Sequence, residues 1–125
     1  MVNPYEQYKR NSINTMTKGE LLVLLFDEAI KKLNLSKILM ENEDYKNANI
    51  NIEKCRKIFN YLIVTLVEKY KLSQELSEMY MFFNKELIKA SSMKSITNID
   101  NILPMVKDLR NTWAEADKIS KTGKN

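Results

Sequence analysis

The sequence predicts an all-α protein, an antiparallel up-down four-helix bundle with a short N-terminal cap segment. Three observations predict it. Apolar residues recur at spacings of three and four in four successive stretches, the period of an amphipathic helix. Only two glycines and two prolines occur in 125 residues, little turn material for β-hairpins. The connections between the stretches are short, which suits antiparallel neighbours, whereas parallel crossovers need long links. The chain is one domain, large enough for a single core and too small for two. It divides into a cap segment, residues 1–16, a bundle, 17–118, and a disordered tail, 119–125.

The cap segment is polar apart from Tyr5, Tyr8, Ile13 and Met16. Pro4 suits a first helical position and Asn3 can cap it, but so short a helix needs docking to persist. The first bundle helix starts after Thr17, which forms a Thr-x-x-Glu capping box with Glu20, and runs to about Glu41. Its inner stripe is Leu22, Phe26, Ala29, Leu33 and Met40. Asp44 caps the second helix, expected from Tyr45 to about Tyr70, with Ala48, Ile52, Cys55, Phe59, Leu62 and Leu66 inward. Ser73 is expected to cap the third, from Gln74 to Ser91, with Leu76, Tyr80, Phe83, Leu87 and Ala90 inward. The Ser, Thr and Asn residues between Ser91 and Asn98 favour a turn. The fourth helix carries Ile99, Ile102, Val106, Leu109, Trp113 and Ala116, spaced 3-4-3-4-3. Because that stripe keeps its phase across Pro104, one kinked helix is expected rather than two.

Composition excludes several functions. The chain has no histidine, which removes most metal sites, most acid–base pairs and the Glu-x-x-His ligands of di-iron bundles. Its lone Cys55 falls within an inner stripe, where a small apolar filler is wanted and a thiol is inert. No glycine-rich phosphate loop occurs. No cofactor, metal or catalytic activity is therefore expected. The net charge of +4 comes from lysines interleaved with acids on solvated helix faces, which argues against a nucleic-acid partner. The N-terminus lacks the apolar core of a signal peptide, and the apolar run Leu21–Phe26 is too short to span a bilayer. A cytoplasmic protein without membrane insertion is expected.

Each helix also carries apolar residues that one buried stripe does not use. Leu24, Leu35 and Ile38 fall on the outside of the first helix, Ile50, Tyr61 and Val64 on the back of the second, and Met81 and Ile88 on the outside of the third, with Phe82 beside them. Contiguous apolar surface on several helices marks an interface. Two binding functions fit: a surface that takes up amphipathic helices from a partner, or a homodimeric helical adaptor that uses these faces for self-association.

Three motifs favour the first. Asn3-Pro4-Tyr5 with Tyr8 and Asn11-Ser12 opens the chain, Thr17 with Glu20-Leu21 and then Leu25-Phe26-Asp27 begins the bundle, and Leu109-Arg110-x-Thr112-Trp113 lies near the end. Together, from about Val2 to Ala116, they resemble the flagellin export chaperones of the FliS family. Lys18 and Gly19 depart from the proline and polar residue frequent there, which should weaken the helix start, and Pro104 departs from a straight helix. The resemblance implies a cytoplasmic antiparallel bundle that binds the disordered C-terminal segment of flagellin, prevents premature polymerisation and delivers it to a flagellar export-gate protein. With such a client, the outward residues Leu24, Leu35, Ile38, Ile50, Tyr61, Val64, Met81 and Ile88 are the expected client-facing positions. Tyr5, Tyr8 and Ile13 would serve as cap or gate-docking residues. The free form is expected to be a monomer with at most weak homodimerisation.

Overall fold

The computed structural model describes residues 15–67 and 70–123. Within them the chain forms four helices: α1 Lys18–Glu41, α2 Tyr45–Val64, α3 Lys71–Met93 and α4 Ile96–Lys121. α1 packs on α2 and α4, and α3 packs on the same two, so the helices close a square ring in which chain neighbours are antiparallel. This is the expected bundle. The starts of α1 and α3 and the finishes of α2 and α4 lie at one end of it.

Two of the expected caps form. Thr17 Oγ1 accepts from the Glu20 N–H at 3.1 Å, and Glu20 Oε1 accepts from the Thr17 N–H at 3.5 Å, a complete capping box despite Gly19 in the first turn. Asp44 Oδ1 accepts from the Asn47 N–H at 3.3 Å.

Three boundaries differ from expectation. α2 stops at Val64 rather than near Tyr70. The β-branched run Ile63-Val64-Thr65 is a poor helix continuation, and the Thr65 hydroxyl donates back to the Leu62 carbonyl at 2.9 Å, drawing off an acceptor of the last turn. Ser73 does not cap α3; Tyr70 holds the cap position but its side chain makes no capping hydrogen bond, and Ser73 is buried inside the helix. α3 in turn continues through Ser91 and Ser92 to Met93. Ser91 spends its hydroxyl across the bundle, on Asn49 Oδ1 at 2.7 Å, instead of competing for its own backbone. Lys94, at φ 52°, ends the helix in the left-handed region, so the connection to α4 shrinks to Lys94 and Ser95.

α4 passes through Pro104 as one helix. The proline lies on the exposed side, where water can take the Asp100 carbonyl that loses its donor. The helix runs on to Lys121, three residues into the stretch expected to be tail.

The core follows the predicted stripes. Phe26, Leu33, Ile52, Phe59, Phe83, Leu87, Ile99, Ile102 and Val106 are fully buried. Tyr80 stands among aromatic rings, 6.2 Å from Phe26 and 6.4 Å from Phe59 between centroids, and Phe59 meets Phe83 at 5.1 Å. Cys55 fills the second stripe, its Sγ 3.8 Å from the Ala29 carbonyl, and burial pushes its pKa up to about 12. One carboxylate joins the interior that sequence had reserved for apolar groups. Glu86 is mostly buried between α3 and α4, where Asn98 and Asn101 donate to it at 2.9 and 3.1 Å. Toward the end where α4 finishes the stripes open out: Leu22, Leu66, Leu109 and Trp113 are only partly buried, and Ala116, expected inside, is exposed. The last turns of α4 reach Gly19 at the start of α1, and α2 has already ended there.

Candidate functional site

At that open end the four helices leave an apolar cavity of about 470 Å³. Leu21 and Leu25 of α1, Tyr61 of α2, Leu66 just beyond it, Leu76 of α3 and Trp113 of α4 line it, and among the described residues Lys18 is its one charged lining residue. The cavity follows from sequence. Leu21 to Phe26 are six consecutive apolar residues, so α1 begins apolar on all sides and cannot turn every one of them to the core. The early stop of α2 removes the turns that would have covered Leu21 and Leu25.

Two lining residues, Tyr80 and Trp113, bring polar side-chain atoms in among these apolar groups. Burial raises the Tyr80 hydroxyl to about 12, against a small opposing pull from the Trp113 indole. The indole Nε1 is nevertheless buried and makes no hydrogen bond of ordinary geometry. The Tyr80 hydroxyl is thus its nearest acceptor, and the indole N–H is a weakly engaged donor beside an apolar cavity.

The outward apolar residues are distributed over three helices. Val64 is 77% exposed, Met81 59% and Ile38 53%, and Leu35, Ile50, Tyr61 and Ile88 are exposed as well. Leu24 is half-buried rather than outward. Tyr61 alone of these joins the cavity lining. Met81 and Ile88 instead border a furrow between α2 and α3, with Arg56 and Asn60 on its other side. Leu24, Leu35, Ile38, Ile50 and Val64 line neither hollow. Tyr5, Tyr8 and Ile13 lie outside the described residues.

Sequence reasoning did not single out Leu21, Leu25 or Trp113 as surface of a hollow, nor the exposed Val67 and Tyr70 between α2 and α3 and Leu72 in the first turn of α3. The unbroken run Leu21–Phe26 was the available signal. Among the described residues no group of side chains could hold a metal ion, and no helix is long and apolar enough to cross a membrane.

The open end is braced by ion pairs between α1 and α4. Arg110 Nε donates to Asp27 Oδ1 at 2.7 Å, with its Nη2 3.4 Å from Oδ2, and this contact raises the guanidinium pKa further. Lys121 Nζ reaches Glu20 at 3.6 Å and Asp117 at 3.1 Å. The brace holds α1 and α4 together beside the cavity.

A square helical bundle with an apolar hollow at one end and spare apolar residues on three outer faces belongs to the class of helical binding proteins. Comparison with known proteins makes the class specific. The family model described as "Flagellar protein FliS" matches residues 1–120. The flagellar secretion chaperone FliS of Bacillus subtilis (strain 168) is 32% identical over 114 residues, spanning 91% of this chain and 86% of that protein. A solved structure described as a flagellar chaperone from bacteria shares the fold, with a TM-score of 0.76 at 18% identity over 91% of this chain and 94% of that one. The chain belongs to the FliS family of flagellar proteins.

Proposed function

We propose that this protein is a cytoplasmic export chaperone that binds the disordered C-terminal segment of flagellin, keeps it from polymerising and hands it to the flagellar export gate. The observation that carries this reading is the apolar cavity at the open end, together with separate exposed apolar side chains on α1, α2 and α3. A folded partner would dock on one flat patch. A client that arrives unfolded can use separated footholds, wrapping from one to the next.

The physical mechanism needs no energy source. A filament-forming segment has an apolar face that self-associates when unpaired, and the bundle offers that face a substitute. Folding on binding typically buries about 1,000–3,000 Å² and loses about 2–5 kcal/mol to ordering, so the complex is tight yet releasable. Tyr61, at the cavity mouth, and Leu35, Ile38, Ile50, Val64, Met81 and Ile88 are the proposed client contacts, with Leu24 contributing its exposed edge. Tyr5, Tyr8 and Ile13 are assigned to the cap and gate-docking role.

Replacing Tyr61 and Val64 by glutamate tests the reading. Both side chains are exposed, so helicity and melting should stay nearly unchanged while binding of the flagellin C-terminal segment falls at least ten-fold. Binding that survives intact removes α2 from the client surface. Light scattering of the free chain then separates the chaperone, a monomer, from an adaptor that covers these residues by dimerising.

A further inference from the structure

The furrow between α2 and α3 is distinct from the open-end cavity and differs from it in charge. It encloses about 440 Å³ between the apolar side chains of Ile63, Met81 and Ile88 and the cations Arg56, Lys85 and Lys89. Asn84 Nδ2 donates to Asn60 Oδ1 at 2.7 Å across its floor. Asn84 is only 8% exposed and its Oδ1 has no partner. Arg56 is in the same condition: Glu53 takes its Nη1 at 2.8 Å, and the buried Nε is left without an acceptor.

Through Ile63 the furrow continues into a second hollow, also about 440 Å³, lined by Ser73, Gln74, Ser77 and Glu78. Along α3, Glu78, Lys85 and Lys89 are spaced seven and four, which stacks them on one helix face. The charge beside the furrow therefore changes sign over eleven residues, roughly 16 Å or three helical turns, while Ile63 stays common to both halves.

Resting on the export-chaperone reading, we propose that this furrow docks one amphipathic helix of the client, at least three turns long, with an acidic turn over Arg56, Lys85 and Lys89 and a basic turn over Glu78. The apolar wall supplies contact. The charges at the two ends set direction and register, because a reversed helix places like charges together. A carboxylate over the cationic half also gives Arg56 Nε the acceptor it lacks.

Fluorescence anisotropy with the full chain tests this using two labelled 14-residue helical peptides of identical composition and identical apolar stripe. One carries glutamates in one half and lysines in the other; the second has them interspersed. The segregated peptide should bind at least ten-fold more tightly, and the exposed pair Lys85→Glu/Lys89→Glu should abolish that preference in a variant that still unfolds cooperatively, its melting temperature lowered only by the loss of the two lysines beside Glu86. Equal affinity for the two peptides, or a preference that survives the double substitution, overturns the assignment. The flagellin C-terminal segment, titrated in parallel, separates the two levels. If it binds the wild type and the double variant equally, the furrow assignment fails and the export reading stands. If it binds neither variant nor wild type while the segregated peptide is selected, the export reading fails and the furrow's charge selectivity stands.

Discussion

Gly19 and Asp117 touch across the open end: a Cβ at position 19 would collide with the Asp117 carboxylate. The glycine thus lets the last turns of α4 close onto the first turn of α1, where Lys121 holds Asp117 at 3.1 Å and Glu20 at 3.6 Å. In a helix interior alanine is favoured over glycine by about 1 kcal/mol, and in the first turn, where Gly19 lies, by less. Here the Gly19→Ala gain should be cancelled, since the carboxylate must swing away and leave Lys121. In an Asp117→Ala background the same change should stabilise the fold. A double-mutant cycle by urea denaturation should give a coupling of about 0.5–1 kcal/mol between the two sites; simple additivity would show that the contact has no energetic consequence.

The Cys55 thiol, raised to about 12 by burial, should resist modification. At pH 8 a disulfide reagent should label it only as fast as the protein opens, and urea should release full reactivity. The linkage has a definite sign. A folded pKa above the unfolded one gives stability that is complete below the unfolded value, near 8.5–9, and is lost as pH rises toward the folded value. Tyr80, raised to about 12 from an ordinary value of 10, acts in the same direction one step later. Melting temperature should therefore fall above about pH 9, and Cys55→Ala should flatten the first part of that decline.

Glu86 shows the opposite linkage. Hydrogen bonds from Asn98, then Asn101, and the nearby Lys89 and Lys85 outweigh its desolvation and hold its pKa below the usual carboxylate value. Its contribution is present above the unfolded pKa, about 4.3, and disappears as pH falls through the lower folded value. Glu86→Gln should lower stability at pH 7 by about 1–2 kcal/mol, the loss of charge-assisted hydrogen bonds. It should have little effect once the wild-type carboxylate is protonated. A constant difference at all pH values would contradict this.

Arg110 and Asp27 form a two-point ion pair between α1 and α4, but their side chains remain 34% and 48% exposed. Solvent screening limits such a pair to less than about 1 kcal/mol. Arg110→Ala should accordingly cost a degree or two of melting temperature at low salt, and the difference should shrink in 1 M NaCl. A loss of several kcal/mol would mean that the residue also packs against the cavity wall.

The bundle was legible because each inner stripe repeats at helical period, and the stripe of α4 kept its phase through Pro104. The boundaries were less so, since they depend on where hydroxyls go. Thr65 turned its hydroxyl back on its own helix and helped end α2, whereas Ser91 crossed to Asn49 and let α3 continue. Outward exposure at Ile38, Val64 and Met81 could be read from angle alone, because those positions lie far from any stripe. Leu24 could not: it sits in the run Leu21–Phe26, whose burial depends on which neighbouring helix has already stopped. Glu86 escaped notice for a related reason. Its acceptors are satisfied by Asn98 and Asn101, twelve and fifteen residues onward, a pairing that no local pattern reports.

Calorimetric titration of the full chain with the C-terminal segment of flagellin, repeated at several temperatures, addresses the main proposal most directly. Coupled folding and burial on an apolar surface should give saturable one-to-one binding with a large negative heat-capacity change. Emission from Trp113, the sole tryptophan, beside the open-end cavity, should shift with the same midpoint. Binding with no heat-capacity change and a silent indole, or no binding at all, would contradict it.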